Sequence, residues 1–175
     1  MKHAHQRKHE HPFTWPHPQL NVVLVEPEIP PNTGNIARLC AATGSRLHLV
    51  EPLGFKLDDA KLRRAGLDYW DAIHPILHPD LESFFRTENP GPDSLHLFST
   101  GGTLSYFDTH YQAGDYLLFG AETRGLSEQL LRKFPDRVVG IPLRTDHVRS
   151  LNLSTAAGIA VYEALRQLHY NSGNR

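Results

Sequence analysis

The sequence predicts an α/β fold, a mostly parallel sheet flanked by helices, and three observations carry that reading. From residue 20 onward, short β-branched or leucine-rich runs alternate with segments of helical periodicity. The segment from Leu153 to Leu168 is the clearest amphipathic helix in the chain. The 175 residues, 39% hydrophobic and 21% charged, suffice for one buried core, and no linker divides residues 20 to 170. Strands that alternate with helices imply a sheet covered on both faces.

The elements follow in order. Residues 1 to 19 hold five of the twelve histidines and three prolines without apolar periodicity, and read as a flexible extension outside the domain. Asn21 to Val25 (NVVLV) and Leu47 to Val50 (LHLV) are strands, with a helical pattern from Asn35 to Ala42 between them, so the fold opens β-α-β. Asp58 to Ala65 and Pro79 to Thr87 read as helices, the second with proline in its first turn. Leu95 to Ser99 and Asp115 to Phe119 are further strands, Leu126 to Phe134 a helix stopped by Pro135, and Val138 to Ile141 the last strand. In the final helix Leu153, Ala157, Ala160, Val161, Ala164, Leu165 and Leu168 share one face, which must pack on something apolar. Residues 171 to 175 read as a tail.

Composition narrows the function classes. No apolar run is long enough for a membrane span or a signal peptide, which points to the cytosol and to no membrane partner. Cys40 is the only cysteine, so an internal disulfide and a cysteine-rich metal site are excluded by count. In the apolar stripe of the first helix it reads as a small buried hydrophobe. The net charge of −1 gives no global support for nucleic-acid binding, so any RNA site must be a local patch. Basic residues do cluster: Arg38 and Arg46; Lys61, Arg63 and Arg64; Arg124; then Arg144, His147 and Arg149. His3, His5, His9 and His11 lack fixed geometry for a metal, and His48, His74, His78, His96 and His110 form no metal pair by spacing and read as surface or structural residues.

Three loops fall where parallel-sheet proteins build sites, after the carboxyl ends of strands. In Glu26 to Arg38 (EPEIPPNTGNIAR) two prolines stiffen a loop, and Asn32, Thr33 or Asn35 is placed to cap the next helix. Helix N-terminal amides with a nearby arginine suit a phosphate, although as a turn and cap the segment needs no function. In Leu117 to Leu126 (LLFGAETRGL) a buried strand runs into Gly120, Glu122, Arg124 and Gly125; glycine at a strand end admits close approach of a ligand, and the charged pair does not suit a core. In Ile141 to Ser154 (IPLRTDHVRSLNLS) cations mix with Ser150, Asn152 and Ser154 at a helix N-terminus, where capping accounts for one polar residue but not three. No GxGxxG follows a strand and no GxxxxGK[ST] occurs, which argues against dehydrogenase and P-loop chemistry.

The ordered set PPNTGNIAR, LLFGAETRGL and IPLRTDHVRSLNLSTAAGIAVYE resembles the three motifs of the SPOUT superfamily of RNA methyltransferases. With EPEIPPNTGNIARLCAATG and LRRAGLDYW, the spacing is similar to that of the small single-domain tRNA (cytidine(34)-2′-O)-methyltransferases, over residues 20 to 170. The resemblance implies a C-terminal deep trefoil knot, a rare exception to ordinary chain topology. It implies S-adenosylmethionine as cofactor, no metal, a homodimer, and a tRNA substrate, with the anticodon stem-loop of leucine tRNA as the expected target. Carried onto this chain, it assigns Phe98, Thr100, Gly120, Glu122, Ile141, Leu143, Ser150 and Leu151 to the cofactor. Arg38 is implied as the residue that activates the ribose hydroxyl, with Asn32, Ser150 and Asn152 at other active-site positions. Because guanidinium stays protonated, Arg38 is better suited to electrostatic stabilisation than to general-base catalysis. Arg124, Arg144, His147 and Arg149 are the expected RNA contacts. The alternatives are a related enzyme acting on ribosomal RNA or another tRNA position, and a non-catalytic RNA or nucleotide-binding module.

Overall fold

The computed structural model describes residues 13–57, 73–144 and 146–171. Its elements are β1 (Asn21–Val25), α1 (Pro30–Thr43), β2 (Arg46–Val50), β3 (Ile76–His78), α2 (Leu81–Glu88), β4 (Leu95–Phe98), β5 (Leu104–Ser105), β6 (Tyr116–Phe119), α3 (Glu128–Lys133), β7 (Val138–Gly140) and α4 (Leu153–Asn171). The strands form one sheet in the order β3-β2-β1-β6-β4-β7-β5, and every pairing is parallel.

Alternation along the central strands divides the core in two. Val22 and Leu24 of β1, with Leu47, Leu49, Leu117 and Phe119, pack beneath Ile36, Ala37 and Cys40 of α1 and Ala157, Ala160, Val161 and Ala164 of α4. The alanines on α4 are the reason it can lie close against α1, and this is the apolar stripe read from the sequence. On the opposite face Val23, Val25, Val50, Leu95, Leu97 and Leu118 meet Phe84 of α2 and Leu126 and Leu130 near α3. Each such side chain withdrawn from water contributes about 1.5–3 kcal/mol, and all five residues of β1 are buried.

Several expectations are corrected. The first helix starts at Pro30, five residues before Asn35, because both prolines occupy its first turn, where a missing N–H costs nothing. None of Asn32, Thr33 and Asn35 caps it: the N-cap is Ile29, whose side chain has no polar atom to offer. The next helix begins after Asp80, whose carboxylate accepts from Ser83 N at 2.6 Å, so Pro79 lies outside it. Strands β3 and β5 were not expected at all. The helix anticipated at Asp58 to Ala65, and Lys61, Arg63 and Arg64, lie outside the described residues. Within the presumed extension, Phe13 stacks on His169 of α4 at 4.9 Å and packs against the core.

The histidines divide. His74 and His110 are exposed, whereas His48, His78 and His96 are buried. His96 Nε2 meets Asp115 Oδ2 at 2.7 Å and ties β4 to the start of β6. His48 and His78, unpaired by spacing, meet at 3.0 Å across β2 and β3.

Candidate functional site

A cleft of about 620 Å³ opens at the carboxyl ends of β4, β6 and β7 and is closed on one side by the start of α4. This is where an open parallel sheet places its ligands, and the volume is that of a small-molecule site. Three separated segments converge on it. Phe98 and Thr100 follow β4, Gly120 and Glu122 follow β6, and Ile141, Leu143, Ser150 and Leu151 come from the segment between β7 and α4. All eight residues assigned to a cofactor from the sequence line the cleft, as do Asn32, Asn152, Arg124 and Arg149. Arg38, Arg144 and His147 do not.

Glu122 organises the polar side of the cleft. Its Oε2 accepts from the Glu28 amide at 2.7 Å, and its Oε1 accepts from the Ile29 amide at 3.2 Å and from Asn32 Nδ2 at 2.9 Å. The carboxylate therefore does from across the fold what the side chain of Ile29 cannot do locally: it satisfies amides at the entry to α1 and sets negative charge at the positive end of the helix. Asn32 Oδ1 in turn accepts from Asn152 Nδ2 at 2.8 Å, and Asn152 Oδ1 accepts from the Ser154 amide at 2.9 Å as the cap of α4. One chain of hydrogen bonds thus runs from the β6 loop through α1 to α4, along the wall of the cleft.

The loop after β6 is held from outside as well. Glu28 accepts from the Thr123 hydroxyl and amide, and chiefly these bonds hold its carboxyl below the usual range, with Arg124 adding to the effect. Arg124 Nη2 lies 2.9 Å from Glu26 Oε2 and its Nε 3.9 Å from Glu28 Oε1, so the cation is committed to two carboxylates of its own chain. Glu26 is itself in the left-handed region (φ 53°), an uncommon state for a residue with a Cβ. Its amide donates to Val50 O at 2.9 Å, which pins that turn.

Gly120 lines the cleft and also has a structural reason to be glycine. The chain's own backbone lies against it: a Cβ there would overlap the carbonyl carbon of Gly125 and the amide of Leu126. Gly102 is crowded in the same way by Val139 and Gly140. At Gly120 the glycine lets the loop after β6 fold back on its own backbone beside the cleft.

The lining fits a ligand with a flat apolar part and polar arms. Phe98 and Phe119 stack at 4.8 Å. Ile29, Phe119, Leu126, Leu131, Val139, Leu153 and Ala156 complete the apolar walls, while Ser99, Thr100, Ser150 and Asn152 offer neutral hydrogen-bonding groups. The apolar residues escaped sequence reading because strand-end and helix-face positions are indistinguishable from core in one dimension; only Ile29, a lone apolar residue amid EPEIPP and 43% exposed, carried a signal.

Comparison with known proteins agrees with this geometry. A Burkholderia pseudomallei (strain 1106a) protein named tRNA (cytidine(34)-2′-O)-methyltransferase is 52% identical over 155 residues, covering 88% of this chain and 99% of that protein. A solved structure described as giving structural insights into the 2-OH methylation of C/U34 on tRNA superposes with a TM-score of 0.77 at 47% identity, covering 85% of this chain and 95% of that one. The SpoU methyltransferase AviRb of Streptomyces viridochromogenes, solved in complex with the cofactor AdoMet, gives a TM-score of 0.72 at 28% identity over 85% of this chain and 57% of that one. Residues 19–162 match the model of the SpoU rRNA Methylase family, and on the strength of that match and of the relatives aligned along nearly its whole length, this chain belongs to that family.

Proposed function

We propose that this methyltransferase acts on tRNA and transfers methyl from S-adenosylmethionine to the ribose 2′-OH of the wobble nucleotide, cytidine or modified uridine at position 34, with leucine tRNAs as substrates. The observation that carries this reading is the convergence of three sequence segments on one cleft whose lining suits that cofactor, in a chain 52% identical to a wobble-position enzyme. The cofactor, when bound, supplies an electrophilic methyl group on a sulfonium. The residues around the cleft would hold the ribose so that its 2′-oxygen faces that methyl group, with water or a phosphate oxygen left free to take the hydroxyl proton.

The protein's part is positioning and charge. Phe98, Leu143 and Leu151 would hold the apolar part of the cofactor, Thr100 and Ser150 its polar arms, and the Glu122–Asn32–Asn152 chain fixes the wall they face. Arg38 would stabilise negative charge developing on the 2′-oxygen. It is exposed on α1 and absent from the lining of the cleft: six residues beyond Asn32, it sits about 9 Å along the helix and about 240° around it. That placement supports a homodimer in which Arg38 faces the cleft of a second copy. Arg144, His147 and Arg149, exposed beside α4, would meet tRNA phosphates, with Arg124 at the rim. We place the enzyme in the cytoplasm with its tRNA substrate; no helix among the described residues is long and apolar enough to cross a membrane. We take the domain as residues 20–170.

The test is transfer of labelled methyl from S-adenosylmethionine into bulk tRNA from cells lacking this protein, with the modified nucleotide mapped. Label at a wobble ribose is expected. Label elsewhere would keep the chemistry and move the substrate, and no label despite cofactor binding would favour a non-catalytic module. Sedimentation at assay concentrations is expected to give a dimer mass.

A further inference from the structure

On the face of the sheet opposite α1 and α4, a second group of reactive side chains lies apart from the cleft. His48, His78 and Glu88 each offer one ligand atom, and the three atoms lie within 4.8 Å of one another. None of the three lines the cleft. We propose that His48 Nδ1, His78 Nε2 and a Glu88 carboxylate oxygen form a structural site for a divalent transition-metal ion of the zinc class, which pins α2 to β2 and β3.

Hydrogen bonding fixes the donor atoms. Asn21 Nδ2 donates to Gly114 O at 2.8 Å, which orients the amide and turns Oδ1 toward His48 Nε2 at 3.3 Å. An amide oxygen only accepts, so His48 carries its proton on Nε2 and presents a lone pair at Nδ1. That lone pair faces His78 Nε2 at 3.0 Å and Glu88 Oε1 at 3.9 Å. A tetrahedral ion with ligand bonds of about 2.0–2.1 Å needs ligand atoms about 3.3 Å apart, so the two imidazoles stand almost at that spacing and closure of the Glu88 carboxylate onto them completes the site. Burial holds His48 neutral, down to about 3 with Arg46 and His78 contributing, and lowers His78 by the same chief cause; neutral imidazole is the ligating form. In the 3.0 Å contact itself His78 Nε2–H is the donor to that lone pair, so ligation shifts the His78 ring proton to Nδ1.

The surroundings match a metal's outer shell. The Asn21 bond to the far nitrogen of His48 is the support that ligating imidazoles use, and the Tyr116 hydroxyl donates to Glu88 Oε2 at 3.4 Å. Arg46 Nη1, 3.6 Å from Glu88 Oε2, is the competing cation. Its side chain is 43% exposed, so it can turn to solvent and leave Glu88, with a fourth coordination position open to water on that side.

Cobalt(II) titration of the full chain, read by visible d–d absorption, together with the zinc-dependent shift in Tm against a chelator control, tests the proposal. Wild type is expected to show the bands of a four-coordinate site and a higher Tm with zinc. His78→Gln and Glu88→Gln should weaken cobalt binding by about tenfold or more and abolish the Tm shift, while methyl transfer by Glu88→Gln stays at the wild-type level. Should His78→Gln fail to fold, Glu88→Gln decides. Bands and Tm shift retained in the variants would assign the metal to the histidines near the N-terminus and overturn the proposal, as would their absence from wild type.

Discussion

Asn152 Nδ2 donates to Asn32 Oδ1 at 2.8 Å across 120 residues of chain, and the Asn32 amide passes the connection on to Glu122. The wall of the cleft and α1 are therefore one hydrogen-bonded unit, and damage to a single amide should be felt at both.

Asn32→Asp replaces a donor with a carboxylate beside Glu122. Loss of the bond and the new repulsion should cost about 1–3 kcal/mol of stability, read by urea denaturation, and cofactor affinity measured by calorimetry should fall with it. Wild-type affinity in a folded Asn32→Asp protein would show that the chain of bonds does not shape the cleft.

Arg38→Ala should lower kcat by about 10²–10³ while cofactor affinity holds, since Arg38 does not line the cleft. If it serves the second copy's site, mixing Arg38→Ala with Asn152→Ala should regenerate turnover that neither variant has alone. Full turnover by Arg38→Ala would remove it from the mechanism.

Gly120→Ala should disrupt the loop after β6, because a Cβ meets the backbone of Gly125 and Leu126, which has no flexible end to yield. The cost is at least the about 1–3 kcal/mol of ordinary overpacking, seen as a lower Tm and loss of cofactor binding. An unperturbed Tm would mean that the fold of this loop is looser than described.

The His48 imidazole gives a pH dependence of definite sign. Its folded value, about 3, lies below the about 6.5 of an unfolded histidine, so in between only the unfolded chain takes up the proton. Stability from its neutrality is intact above about pH 6.5 and falls by about 1.4 kcal/mol per pH unit as pH drops toward 3. Urea denaturation across that range should show a shallower decline for His48→Gln than for wild type; superimposable slopes would contradict the assignment.

What could be read from the sequence depended on how far each signal is local. β1 announced itself by the four consecutive apolar residues Val22 to Val25, and α4 by a stripe that the structure buries at Ala157, Ala160, Val161, Ala164 and Leu165. β3 and β5, at three and two residues, are too short to show alternation and exist because a neighbouring strand pairs with them. Pro30 and Pro31 looked like loop stiffeners because proline reads the same in a loop and in a first helical turn. The residues lining the cleft were recoverable as three motifs, but the reason for Glu122, which serves amides more than ninety positions away, and the meeting of His48 with His78 are properties of sheet order and register, which no window of sequence contains.

The sheet order also governs how the protein comes into being. β1 lies inside the sheet, next to its middle strand β6, which aligns Tyr116 with Asn21. A chain emerging from the ribosome can assemble β1, α1 and β2 early, but the other edge of β1 stays unpaired until β6 has been made. Closing so distant a pairing is entropically slow, and the waiting edge is a template for a wrong partner. Folding of this protein should therefore be limited by the arrival of its second half, and truncations that end before β6 should aggregate.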